Sequence, residues 1–268
     1  MFGKVNRERR QGRPILAWIG LLLMIASFVW LQFLTPFSTP RADIRPPLPE
    51  GPLVLAVLDP GHGGQDSGTM KGGLLEKDLA LDVAHRAERF LQIQGVATLL
   101  TRTGDTYLSL ADRAAIANAQ RNCVFISIHF DDATRPAATG VETYYAARQI
   151  SKTPRAVSWF PFFQQASNDS INVESQSLAA FIQQALVTHT QAVNRGTTQQ
   201  QFFVIANVRH PAVLVEGGFL TNTDELNKLA TGDYRERIAA AISDGVMRYR
   251  DVLRQQQTPL AVNLPAGE

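Results

Sequence analysis

The chain has 268 residues, a length for one or two domains, and its 45% hydrophobic and 19% charged content is enough to bury a full core, which excludes low-complexity and collagen-like chains. The net charge of +2 hides an asymmetry: five of the 26 basic and one of the 24 acidic residues lie in the first 13 positions, leaving 21 against 23 over the other 255. A basic tail on a slightly acidic remainder argues against a folded domain that reads nucleic acid, and the single cysteine, Cys123, excludes a disulfide scaffold.

Residues 1–14 form a basic cytoplasmic tail, and Ile15 to Leu34 is an uncharged apolar run of twenty residues. At 1.5 Å per residue such a run matches a hydrocarbon core of ~30 Å, so 15–34 is expected to be one transmembrane helix. A cleaved signal peptide is the rival, but its apolar stretch is about 7 to 15 residues and ends at small residues, whereas Phe33, Leu34 and Phe37 stand here. The cations before the run keep the tail in the cytoplasm and place the rest across the membrane. The expected location is therefore membrane-anchored on the periplasmic or extracellular side, or exported if the segment is cleaved. Residues 35–52 hold six prolines and read as a stiff Pro-rich linker.

From 53 onward, apolar runs alternate with helical patterns. Strands are expected at 53–58, 96–101, 123–128, 141–146, 202–205 and 212–215. Helices are expected at 77–94, stopped by Gly95, after a Ser109 cap with Asp112 as its box partner, at 177–193 and at 233–253. The alternation predicts a single three-layer α/β domain over 53–253 with helices on both faces of the sheet, and 254–268 a flexible tail.

Three polar residues stand where apolar strands end: His62 after LVLAVLDPG, His129 after VFISI and Glu216 after AVLV. In an open α/β sheet such residues meet in one crevice outside the carboxyl ends of the strands. Glu76 lies fourteen residues after His62, before a helix. Two imidazoles and a carboxylate are the ligand set of catalytic zinc sites that leave a fourth position open, and Glu216 then remains as a candidate base. Each residue has a plainer role taken alone: a hydrogen-bonded strand-end histidine, an acidic residue at a helix start, a glycine turn around a phosphate. The set is more telling than its members, because strand ends seldom gather ionisable groups without a partner. His85, His189 and His210 are expected to be non-ligands.

These stretches resemble the zinc-dependent N-acetylmuramoyl-L-alanine amidases that hydrolyse bacterial peptidoglycan. The resemblance runs over about 53–253 through LDPGHGGQDSGT (58–69), GLLEKDLAL (73–81), LLTRTGDTYLSLADRAAIAN (99–118), VFISIHFDDA (124–133), GVETYY (140–145) and PAVLVEGGFLTN (211–222). It implies a six-stranded, mostly parallel sheet flanked by helices, zinc held by His62, Glu76 and His129, and Glu216 as the catalytic residue. The implied reaction is cleavage of the amide between N-acetylmuramic acid and L-alanine, with a zinc ion polarising the carbonyl and Glu216 moving the proton from water to the departing amine. Asp59 is placed either to orient a ligand imidazole or to cap the turn.

Phe130 departs from the small residue usual after SIH, and its ring is expected either to narrow the cleft or to serve substrate as a platform. Residues 147–175, with Trp159, Phe160, Phe162 and Phe163, fall where some relatives carry an occluding insertion. That segment reads as a lid or a site for an activator protein, or else as an ordinary packed loop. The partners expected are peptidoglycan and, through the N-terminal helix, the membrane. The rivals are a non-catalytic wall-binding regulator on the same scaffold and a zinc peptidase acting on another bond of the stem.

Overall fold

The computed structural model describes residues 55–132, 135, 137–149 and 172–257. Among them, eight strands and six helices follow one another as β1 (Leu55–Pro60), β2 (Met70–Lys71), β3 (Leu74–Leu75), α1 (Glu76–Ile93), β4 (Ala97–Leu100), α2 (Leu110–Asn118), β5 (Cys123–Asp131), β6 (Val141–Tyr145), α3 (Val173–Thr190), β7 (Asn194–Gln199), α4 (Phe203–Ala206), β8 (Ala212–Phe219), α5 (Thr223–Leu229) and α6 (Gly232–Gln257). The expected membrane helix, the linker and most of 147–175 lie outside the described residues. No described helix is long and apolar enough to cross a membrane. Helix α6 continues to Gln257, past the expected start of the C-terminal tail.

Six strands form one sheet in the order β4-β1-β5-β8-β6-β7. The first four are mutually parallel, β6 runs antiparallel to β8, and β7 is parallel to β6. The carboxyl ends of β1, β5 and β8 therefore share an edge with the amino ends of β6 and β7. Strand β5 shows why the sheet is covered on both faces. Its Val124, Ile126, Ile128 and Phe130 enter a core with α1, α3 and α6, while Cys123 and Phe125 enter a second core with α2 and α4. Alternation at a period of two sends the next residues of the second set, Ser127 and His129, to the same face as Phe125.

The helices begin and end where local chemistry dictates. Ser109 Oγ accepts the amide of Asp112 at 3.1 Å and donates to its carboxylate at 2.6 Å, capping α2 as expected. Gly95, at φ +73°, ends α1. Helix α3 starts four residues before its expected position, because Asn172 accepts the amide of Ser175 and caps a first turn whose one apolar residue, Val173, is exposed.

The expected strand at 202–205 is instead the single turn α4, closed by the amide of Ala206 on the carbonyl of Phe202 at 2.9 Å. Val204, Ile205 and Ala206 are all buried in a row, a pattern that a short apolar run shares between strand and helix. The sixth strand is β7, whose sequence NRGTTQ lies at the sheet edge and is largely exposed. A polar edge strand has no apolar alternation to reveal it. Phe130 neither narrows the cleft nor faces it: it is 1% exposed, and its ring fills the space over Gly217, where a Cβ would come within 2.7 Å.

Candidate active site

The strand edge gathers the four expected residues. His62 lies in the loop after β1, His129 is near the end of β5, Glu76 is the first residue of α1, presented by the β2–β3 hairpin, and Glu216 is on β8. His62, Glu76 and His129 each offer a ligand atom, all within 4.8 Å of one another, and they form the possible metal-binding group found among the described residues. His62 Nε2 and His129 Nδ1 stand 2.9 and 3.0 Å from the same oxygen, Glu76 Oε1. Glu76 is held from behind by the amides of Phe130 on Oε1 at 3.1 Å and Thr69 on Oε2 at 2.9 Å.

The chemistry of this donor set fits a divalent cation. His62 Nδ1 is 2.9 Å from Asp66 Oδ2, and a carboxylate can only accept, so the proton sits on Nδ1 and the Nε2 lone pair is aimed at Glu76 Oε1. Two facing lone pairs require something positive between them: a second proton or a metal ion. In the absence of an ion the same geometry shifts the acids and bases. Burial opposes the charge on His62, but its contacts with Glu76 and Asp66 outweigh that and raise its pKa. Burial likewise opposes ionisation of Glu76, and its bonds to His129 and His62 prevail and hold it well below the usual carboxylate range.

The His62 loop is strained, and two buried arginines hold it. His62 itself adopts φ +57°, a left-handed conformation that costs a non-glycine residue of order 1–3 kcal/mol. Arg113 donates from Nη2 to the His62 carbonyl at 2.6 Å and from Nη1 to Pro60 O at 2.7 Å and Asp59 Oδ1 at 2.8 Å. Arg102 donates to the carbonyls of Pro60 at 3.0 Å, Gly61 at 2.7 Å and Lys77 at 2.8 Å. Asp59 therefore neither orients an imidazole nor caps the turn. Its carboxylate accepts from Thr101, Arg113 and Ser127 at 2.6, 2.8 and 2.8 Å, beneath the site. Gly61 has no replaceable hydrogen, since a Cβ there would lie 2.3 Å from the His129 ring.

Glu216 is placed by sheet register instead. It pairs with His129 across β5–β8 and with Glu142 across β6–β8, so the three side chains leave the same face in one row. Its Oε2 is shielded from solvent and has no hydrogen-bond partner among the described residues. Burial raises its pKa well above the ordinary value, and the nearby carboxylates Glu76, Asp131 and Glu142 add to that rise. Glu225, on the unpredicted helix α5, pins the strands that carry the row. It accepts from Thr139 Oγ1 and the Gly140 amide at 2.5 and 2.7 Å before β6, and from the Phe219 amide at 2.7 Å at the end of β8.

Asp66, Arg102, Arg113, Glu142 and Glu225 were not among the expected site residues. Asp66, within the GHGGQDSG stretch, was the one with a local signal, a carboxylate four residues from a candidate ligand. The remaining histidines lie elsewhere: His85 contacts Thr103 O at 3.3 Å, His189 Asp244 at 3.3 Å and His210 Gln120 O at 3.2 Å. A cleft beside the ligands is lined by His62, His129, Tyr107, Leu108, Leu110 and Arg113.

The chain is similar to known proteins in sequence and in fold. The family model described as N-acetylmuramoyl-L-alanine amidase (Amidase_3) matches residues 56–248. The N-acetylmuramoyl-L-alanine amidase AmiA of Escherichia coli (strain K12) is 30% identical, over 92% of this chain and 93% of its own. The crystal structure of an N-acetylmuramoyl-L-alanine amidase from Clostridium difficile 630 superposes with a TM-score of 0.63 at 32% identity, covering 75% of this chain and 98% of that one. The CwlD amidase from Clostridioides difficile, solved in complex with the GerS lipoprotein, gives 0.63 at 25% identity, over 74% and 99%. With a family model spanning most of the chain and a relative matched nearly end to end, the chain belongs to the N-acetylmuramoyl-L-alanine amidase family and is an enzyme of that kind.

Proposed function

We propose that this amidase is zinc-dependent, with His62, Glu76 and His129 holding the ion and Glu216 carrying the proton, and that it cleaves the amide between the lactyl group of N-acetylmuramic acid and the L-alanine of the stem peptide. The observation that carries the reading is the pairing of a convergent His-Glu-His group with a shielded, unpartnered carboxylate oxygen one strand away. When bound, zinc supplies a Lewis acid that polarises the scissile carbonyl and acidifies water. Asp66 keeps the His62 lone pair directed at the ligand cluster, and the amides of Phe130 and Thr69 fix the rotamer of Glu76.

Glu216 does the proton work. Its carboxylate takes the proton of the attacking water as the C–O bond forms at the lactyl carbonyl. The resulting carboxylic acid passes that proton to the alanine nitrogen as the C–N bond breaks, leaving a free amine and a lactyl carboxylate. An environment that favours the protonated acid suits a group that must hold a proton between the two steps. Glu216→Gln protein is expected to keep its zinc and lose most turnover, with stem-peptide release from purified peptidoglycan as the assay. Turnover at the wild-type rate would remove Glu216 from the mechanism, and fragment masses showing cleavage within the stem would replace the amidase bond with a peptidase one.

The reading extends to the chain's ends. Residues 1–14 are a cytoplasmic tail, 15–34 an uncleaved anchor, 35–52 a spacer, 53–257 the catalytic domain and 258–268 a tail, which places the domain on the periplasmic or extracellular side facing the wall. Membrane fractionation of the full chain, with its mass read by immunoblot, tests the anchor. That the CwlD relative was solved in complex with the GerS lipoprotein supports a protein partner for this chain too, and the proposed place of its action as an activator is 147–175.

A further inference from the structure

We propose that Arg195 is a specificity-determining residue that binds a carboxylate of the stem peptide, borne by the residue that follows the L-alanine. The proposal rests on the reading of Glu216 and the ligand cluster as the reacting centre.

Arg195 stands at the amino end of β7, on the same strand edge as the cluster. Its Nε donates to Glu142 Oε2 at 2.9 Å, and Thr198 Oγ1 donates to the other oxygen of that carboxylate at 2.6 Å. Its Cζ lies 4.9 Å over the ring of Phe219. The guanidinium is therefore fixed on one edge and on one face, by a buried anion and a buried ring. Its two Nη groups make no hydrogen bond among the described residues, and the side chain is 38% exposed. A fixed guanidinium with a free outer fork is preorganised for bidentate capture of a planar anion.

Position and charge identify that anion. Glu216, Glu142 and Arg195 sit on the consecutive strands β8, β6 and β7. At ~4.8 Å per strand spacing, the backbone of Arg195 is about 10 Å from that of the proposed base. The guanidinium reaches back from β7 to Glu142 on β6 and to Phe219 on β8, so it stands closer to the base than its own strand does. Extended peptide advances ~3.3 Å per residue, which puts the second stem residue and its side group within that shorter span. The surroundings carry Glu76, Asp131, Glu142 and Glu216, and an acidic peptide entering among them needs a cation to receive it.

The test uses two synthetic stem peptides on the same short glycan chain, one with D-isoglutamate and one with D-isoglutamine at the second position. Wild-type protein is expected to favour the free acid by about ten- to hundredfold in kcat/KM, through KM. Arg195→Gln should bring the two substrates to within about twofold, Arg195→Lys should retain part of the preference, and Glu142→Gln, which frees the guanidinium, should lower it. An acid-to-amide ratio near one in the wild type, or one that Arg195→Gln leaves intact, overturns the proposal while the amidase reading stands. If Arg195→Gln does not fold, the wild-type ratio decides alone. Wild-type protein that cleaves neither substrate, and also no intact peptidoglycan, removes the amidase reading and this inference with it.

Discussion

The His62 loop and the β8–β6 row meet at one cleft but are held by opposite means. In the loop, donors abound: two buried arginines surround a residue at φ +57°, every carbonyl from Pro60 to His62 accepts a guanidinium hydrogen bond, and Asp66 accepts from the His62 ring. In the row, donors are lacking: Glu216 keeps an oxygen with no partner, next to three other carboxylates. The loop spends hydrogen bonds to hold a proposed ligand in an unfavourable conformation, whereas the row leaves a carboxyl oxygen unsatisfied where the proposed reaction needs a proton acceptor. Buried polar atoms without partners are rare in folded proteins, and catalysis is one of the few reasons to keep one.

The contrast predicts that mutations in the two regions move stability and activity in opposite directions. The largest effect is on the row: Glu216→Gln is expected to lower peptidoglycan turnover by about 10²- to 10⁴-fold while its melting temperature stays equal to or rises above wild type. A fall in melting temperature would show that Glu216 is a structural residue. In the loop, Arg113→Ala is expected to cost about 3–5 kcal/mol in urea denaturation, because it leaves Asp59 buried with its ion-pair partner gone, and to release the His62 carbonyl. Unchanged stability would mean that Arg102 holds the loop by itself. Asp66→Asn should keep the fold and weaken zinc binding by about 10- to 100-fold in a chelator competition, since it loosens the tautomer of His62 without removing a ligand.

The smallest effect lies away from both regions and serves as a baseline. Asp82 bridges Arg86 at 2.9 Å and Arg235 at 2.5 Å. Burial opposes its ionisation, but its hydrogen bonds and the charges of the two arginines prevail, so its folded pKa lies below the ordinary 3.8. A depressed carboxylate contributes stability that is fully present above the unfolded value and is lost as pH falls through the folded one. Asp82→Asn is thus expected to cost less than about 1 kcal/mol at pH 7, given the partial exposure of the pair, and to flatten the decline in stability below about pH 4. A decline as steep as the wild type's would assign the acid sensitivity elsewhere.

Much of the site was legible because its signals are local. An apolar run that ends in a histidine or glutamate announces a strand end, and His62, His129 and Glu216 were found in this way, with Glu76 added as an acidic residue just before a helix; the four do meet at one edge. The fold class followed from the same alternation, and six strands were counted, although one of the six was misplaced. QFFVIA satisfies both strand and helix patterns over so few residues that only the Ala206–Phe202 hydrogen bond decided it. NRGTTQ has no pattern at all, and pairing with β6 alone makes it a strand.

The sequence by itself picked out the residues of the cluster and the two-faced sheet, since each is marked by a pattern of its immediate neighbours along the chain. The tertiary structure decided which groups support that chemistry. Arg113 reaches His62 across 51 positions, Arg195 reaches Glu142 across 53, and Glu225 reaches Gly140 across 85. Phe130 was read toward the cleft until the pleat of β5 turned it into the core opposite Gly217. Contacts of this kind depend on strand order and register, which come from the burial of whole faces at once, so no local pattern of residues can encode them.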